Sequence, residues 1–142
     1  MEKISALGLD IGLKRVGVAG CDGLGIIATE LTTINRTSFE HDILEFRKIV
    51  KEREVSILVA GVPYNREGEI GFQAKQVMKY AKKLANALNL PLEFIDERFT
   101  SVEAQEQLKT KGKKKYSSRQ KGLIDKRAAA IILQLWLDSR TR

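Results

Sequence analysis

Two periods of apolar and polar positions alternate along this chain. The run ISALGLD, residues 4–10, is mostly apolar and ends on Asp10, which predicts a strand leaving a core. RVGVAG (15–20) and GLGIIATELTTI (23–34) read as two further strands, rich in β-branched residues and separated by the turn CDG. The three lie close enough to form an antiparallel meander. In TSFE, Thr37 and Glu40 are three apart, which predicts a capping box opening a helix to about Arg53. VSILVAG (55–61) is a short continuous apolar run, predicted as a strand buried on both faces. VPYNREGEIG (62–71) reads as a loop. Ala74, Val77, Met78, Ala81, Leu84, Ala85 and Leu88 follow helical spacing and predict a helix over Phe72–Leu88. PLEFI (91–95) is the next strand, followed by a short helix over Ser101–Leu108. A basic loop then leads to a final helix from about Leu123 to Leu137.

This order, β-β-β-α-β-α-β-α-α, predicts an α/β fold. A meander continued through helical crossovers gives a mixed five-stranded sheet with helices on both faces. The length of 142 residues suits a single domain, residues 1–142. In such sheets, sites gather at the carboxyl ends of parallel strands. Asp10 ends the first strand, and Asp96 and Glu97 in FIDERFTS end the last. Two strand ends supplying carboxylates exceed what turn punctuation needs. A third carboxylate, Asp125, is expected in the first turn of the final helix, where favourable interaction with the helix dipole would also account for it.

Composition changes this picture in three ways. A hydrophobic content of 43% with two prolines describes a compact globule. No apolar run is long enough to span a membrane, and the N-terminus shows no signal-peptide pattern. The lone cysteine, Cys21, has no internal partner, which fits a reducing cytoplasm. The net charge is +7, and Lys109–Lys121, KTKGKKKYSSRQK, carries seven basic residues and no acid, so the whole excess lies in that segment. Clustered lysines gain affinity for phosphates by releasing counterions, which predicts a loop that binds a polyanion, with a solvated loop as the alternative.

Clustered carboxylates repel and raise one another's pKa, so a fold keeps them together where cations neutralise them. Oxygen ligands without nearby cysteine or histidine select Mg²⁺ or Mn²⁺. Such ions can activate water and stabilise the leaving oxygen of a phosphodiester. The single histidine, His41, falls on a polar helix face, so serine–histidine and cysteine–histidine mechanisms lack a base.

The chain resembles the YqgF/RuvX family, small bacterial proteins with the RNase H-like, Holliday-junction-resolvase-like fold. The resemblance runs over nearly the whole chain. It is carried by LGLDIGLKRVGVA, LGIIATEL, VAGVPYNREGEIGFQAKQV, IDERFTS and IDKRAAAIILQLWL, in that order. It implies a metal-dependent nuclease of the bacterial cytoplasm that trims the 5′ end of the 16S ribosomal RNA precursor, with resolution of branched DNA junctions as the alternative. By motif, the family's acidic triad falls on Asp10, Glu97 and Asp125. YNRE stands where the family often has Leu-Asn-Met-Asp, and AGCD where Val-Ser-Asp is usual. Neither departure touches the triad.

Around the triad, Lys14 and Arg15 follow the Asp10 turn and could meet a phosphate or form a surface pair. Arg98 could clamp a phosphate or pair with Asp96. Asn65 and Arg66 belong to a loop that could cover substrate or simply connect two elements. In the basic segment, Lys111, Lys113, Lys114, Lys115, Arg119 and Lys121 are candidate phosphate contacts, and Tyr116 is placed to stack on a base. Trp136 reads as core. The expected partners are structured RNA, branched DNA or ribosomal precursor particles, with no membrane, and the chain could act as monomer or homodimer. LGLDIG also opens the first phosphate loop of actin-like ATPases and sugar kinases, but those need a duplicated domain for which 142 residues leave no room. A nucleic-acid-binding factor without catalysis would keep the basic loop but would not need three carboxylates.

Overall fold

The computed structural model describes residues 4–64, 70–97 and 118–140. The described residues form five strands: β1 (Ala6–Ile11), β2 (Arg15–Cys21), β3 (Ala28–Asn35), β4 (Ile57–Val62) and β5 (Leu92–Asp96). The described helices are α1 (Phe39–Arg53), α2 (Phe72–Leu88) and α3 (Ser118–Arg140). The sheet order is β3-β2-β1-β4-β5. β1 pairs antiparallel with β2, and β2 antiparallel with β3. β4 lies parallel to both β1 and β5. This is the mixed five-stranded sheet that the sequence pattern implies. The short helix expected over Ser101–Leu108 lies outside the described residues.

The helices divide between the two faces of the sheet. One core cluster joins Leu7, Leu9, Val16 and Leu58 to Phe46 of α1 and Leu84 of α2. The other joins Ala6, Ala19 and Val59 to Ala129, Ile132, Leu133 and Trp136 of α3. Side chains alternate between the faces of a strand, so Leu7 and Leu9 point one way while Ala6, Gly8 and Asp10 point the other. Trp136 is core, as expected, at 3% exposure, and its ring N–H donates to Glu93 at 3.1 Å.

The face toward α3 is built of small residues, which brings the helix unusually close. A Cβ added at Gly8 would stand 2.6 Å from Leu133 Cβ, and one at Gly17 would stand 2.0 Å from the Asp125 carbonyl oxygen. At Gly61 it would meet Ile132 at 2.5 Å. Three neighbouring strands thus give up a side chain where α3 crosses them. The helix axis is thereby held against β2, β1 and β4, which is what aims its side chains at the strand ends.

Three element boundaries depart from the sequence reading. The first is the start of α3, at Ser118 and not Leu123, so Ser118–Lys121 belong to the helix and not to the basic loop. Gly122 costs a helix interior about 1 kcal/mol, but its carbonyl accepts a hydrogen bond from the Thr33 hydroxyl on β3. That tertiary contact carries the helix through the glycine. The second is β3, which begins at Ala28 and not Gly23. Asp22 closes a turn in between, its Oδ1 accepting from the backbone N–H groups of Ile26 and Ile27, each at 2.8 Å. Those bonds, that of Ile27 first, hold its carboxyl below the ordinary aspartate value. The third is the N-cap of α1, which is Ser38 and not Thr37. Ser38 is extended and its hydroxyl accepts from the His41 N–H at 3.2 Å, while Thr37 Oγ1 lies 3.0 Å from His41 Nδ1. Among the described residues, no helix is long and apolar enough to cross a membrane.

Candidate active site

Asp10 is the one residue of β1 that is not fully buried. Its partner across the β1–β2 ladder is Gly17. Residues directly opposite in a ladder share a face, so Asp10 looks toward the helix backbone that fills the space above Gly17. That backbone belongs to Asp125. The missing side chain on β2 therefore lets one helical carboxylate approach one strand carboxylate.

Glu97 arrives from the far edge. It is the residue after β5, and its N–H donates to the Val62 carbonyl at 3.0 Å, which ties it to the end of β4. Glu93 and Ile95 meet α3 or its cluster, and the two-residue period puts Glu97 on the same face. Its carboxyl carbon lies 3.6 Å from the point a Gly61 Cβ would occupy. Gly61 thus leaves room for the Glu97 head as well as for Ile132. Asp96, one residue earlier, alternates to the opposite face.

The electrostatics follow from this geometry. Asp10 is held well above the ordinary aspartate value, first by burial, then by the negative charge of Glu97, by a hydrogen bond between the two carboxyls, and by Asp125. Burial and the neighbouring carboxyl both favour the protonated form of Asp10. Asp125 has its own partner. Arg15 Nε donates to its Oδ2 at 2.9 Å, with both side chains 22% exposed. Asp125 lies seven positions past Ser118, about two turns into α3. The first turn of α3 holds no acid, so the dipole explanation expected for Asp125 does not apply.

Arg15 therefore serves as the partner of a site carboxylate, and Lys14 stands exposed in the β1–β2 turn. Lys121 is exposed on the first turns of α3. Asn65, Arg66, Arg98, Lys111, Lys113, Lys114, Lys115, Tyr116 and the side chain of Arg119 lie outside the described residues. His41 is exposed on α1, and the buried Cys21 thiol donates to the Ile4 carbonyl at 3.4 Å. The sequence reading missed the glycine platform of Gly8, Gly17 and Gly61. Its signal was present as small residues at alternate positions, Ala6-Gly8 in one strand and Gly17-Ala19-Cys21 in the next.

The donor set suits a hard divalent cation, because all three groups are carboxylates and no histidine or cysteine joins them. Among the described residues, no group of three acidic, histidine or cysteine side chains already stands in metal-holding geometry. Asp125 is turned to Arg15, and Asp10 to Glu97.

The sequence model of the RuvX family, described as Holliday junction resolvase, matches residues 4–139. A protein of Microcystis aeruginosa named "Putative pre-16S rRNA nuclease" is 68% identical over 142 residues, which is 100% of this chain and 97% of that protein. A protein of the same name from Crocosphaera subtropica is 63% identical, with 99% of this chain and 96% of that protein covered. Among solved structures, RuvC of T. thermophilus in complex with a Holliday junction substrate superposes with a TM-score of 0.59 over 97% of this chain and 96% of that one. At 12% identity this likeness speaks for the fold, which is RNase H-like. The family match and the relatives span nearly the whole sequence, and the chain belongs to the RuvX family.

Proposed function

We propose that the chain is a divalent-metal-dependent nuclease of the cytoplasm that processes the 5′ end of the 16S ribosomal RNA precursor, with Asp10, Glu97 and Asp125 as its catalytic carboxylates. The observation that carries this reading is the meeting of Asp10 with Glu97, close enough to Asp125 that both acids raise the Asp10 pKa. A structural role gives no reason to hold like charges together at a strand end. The names of the full-length relatives support the choice of substrate.

In this reading Asp10, Glu97 and Asp125 would hold Mg²⁺ or Mn²⁺. When bound, the cation supplies neutralisation of the carboxylates and of the charge that develops on the phosphate. Asp10 and Glu97 together bring two carboxyl groups to the carboxyl ends of β1 and β5. Arg15 keeps the Asp125 carboxylate oriented beside them until substrate and cation arrive. Lys14 and Lys121, both exposed, draw the phosphate backbone toward the site.

Resolution of branched DNA is the second reading, favoured by the description of the family model. The test is cleavage of an end-labelled precursor RNA fragment and of a four-way DNA junction by the same preparation, with Mg²⁺ and with EDTA. Cleavage of the RNA that stops with EDTA and with Asp10→Asn is the expected result. Cleavage of the junction alone would move the assignment to the second reading. Cleavage unaffected by Asp10→Asn would remove the carboxylate site from the chemistry.

A further inference from the structure

The sheet face away from α3 carries a second concavity that the carboxylate site does not use. A cleft of about 590 Å³ opens between the β1–β2 turn, the β3–α1 junction and α2. Its size lies within the roughly 300–1,000 Å³ span of ligand sites. Arg36, Lys75, Lys79 and Lys83 line it, and Asp42 is the one acid among its described lining residues. Asp42 is 2% exposed and turned inward, accepting from the Tyr80 hydroxyl at 2.9 Å and the Thr37 N–H at 3.2 Å. The described lining therefore presents positive charge to solvent.

Two further features point to a ligand that combines phosphates with flat rings. At its mouth, Leu13 and Phe72 remain 78% and 76% exposed, an uncommon placement for large apolar side chains on a wall of cations. The second feature is the charge of α2, which carries Lys75, Lys79, Lys82 and Lys83 and no acid from Phe72 to Leu88. Like charges four apart on a helix repel, so this helix carries an electrostatic cost that an anionic partner would relieve. Two cations are already ordered against rings: the Arg36 guanidinium lies 4.0 Å from the Tyr80 ring centre, and Lys83 Nζ 4.1 Å from that of Phe39. Arg36 also donates to the Gly12 carbonyl at 2.6 Å. Gly12 lines the cleft and stands two residues after Asp10. The cleft thus begins just across the β1–β2 turn from the carboxylates.

We propose that this cleft binds a single-stranded polynucleotide, with a base stacked on Phe72 and phosphates held by Arg36, Lys75 and Lys79. The position of the cleft makes these the nucleotides next to the bond presented to Asp10. That part of the inference rests on the nuclease reading, whereas the binding does not. A duplex is a poorer fit, because its bases are already stacked on one another and offer no free face to Phe72. Stacking accepts any base, so binding is independent of sequence.

The test is fluorescence anisotropy with a labelled oligouridine strand and a blunt RNA duplex of the same length, in EDTA, over a series of salt concentrations. Phe72→Ala should weaken single-strand binding about 5- to 150-fold and leave duplex binding unchanged. Lys75→Ala with Lys79→Ala should lower the single-strand salt slope by about 1.4. Lys48→Ala with Lys51→Ala removes the same charge from exposed positions of α1 outside the cleft, and should not change the slope. Equal slopes for the two double variants, wild-type affinity in Phe72→Ala, or equal losses on strand and duplex would each overturn the proposal. Cleavage of the same RNA with Mg²⁺ is read separately. A wild-type protein that binds through the cleft yet never cleaves RNA or junction overturns the nuclease reading and supports the cleft. One that cleaves while the cleft variants bind normally overturns the cleft alone.

Discussion

Gly17→Ala tests whether the close crossing of α3 over the sheet is what builds the site. The added methyl would stand 2.0 Å from the Asp125 carbonyl oxygen and 2.2 Å from its carbonyl carbon. Both atoms are backbone, so no side chain can swing aside. The helix must retreat by roughly 1 Å before the contact becomes tolerable, which is the overpacking regime of about 1–3 kcal/mol. The melting temperature should fall by several degrees. The same retreat carries Asp125 away from Asp10 and strains its 2.9 Å bond with Arg15. A misplacement of ~1 Å in a catalytic group costs about 100-fold in rate, so cleavage measured well below the melting temperature should drop far more than the folded fraction does. Gly23→Ala is the matched control, because nothing lies within 4 Å of its added methyl, and both readouts should stay at wild type or the melt should rise slightly. Thermal melts by circular dichroism and initial cleavage rates decide the matter. A Gly17→Ala protein that melts and cleaves like the wild type would show that the helix does not need this approach, and the account of how Asp125 reaches Asp10 would fail.

Asp10→Asn should raise stability at neutral pH, since each pKa unit of elevation costs a charged carboxylate about 1.4 kcal/mol and the amide can still donate to Glu97. A folded-state pKa raised above the unfolded one gives stability that is present in acid and lost as pH rises through the folded value. The gain from Asp10→Asn should therefore shrink as pH falls from the raised folded-state value toward the ordinary aspartate value and be gone below it, and melts across that window that run parallel would contradict the raised Asp10 pKa. Arg15→Gln should cost about 1 kcal/mol or less, because the pair is partly exposed, and a double-mutant cycle with Asp125→Asn should return a coupling of that size; zero coupling would make the contact incidental. Tyr80→Phe should cost about 1.5–3 kcal/mol by denaturant titration, because it leaves a buried Asp42 oxygen without its 2.9 Å donor. A neutral result would mean that water replaces the hydroxyl.

The elements of the sheet were legible because each is written in a local period. ISALGLD, VSILVAG and PLEFI announce strands through short apolar runs, and the α2 helix through residues three and four apart. Asp10 and Glu97 were legible as strand-end carboxylates for the same reason, since an apolar run that stops on an acid marks where a chain leaves a core. The start of α3 was not. Gly122 reads locally as a breaker, and the Thr33 hydroxyl, 89 residues earlier, bonds its carbonyl within the helix. The role of Asp125 changed with that boundary, from a residue of the first turn to one placed about two turns inside.

Local pattern by itself determined which segments become strands and helices and in what order, because backbone hydrogen bonding and the side-chain period are settled among near neighbours. It also set the charge balance and the supply of carboxylates. Tertiary structure alone decided that Arg15 pairs with Asp125 across 110 residues, that Gly8, Gly17 and Gly61 together admit α3, and that Asp10 faces Glu97 and not Asp96. Those outcomes depend on register and on how closely two elements approach. A one-residue slip would turn every side chain of a strand to its other face, and no window of sequence records the neighbour it will meet there.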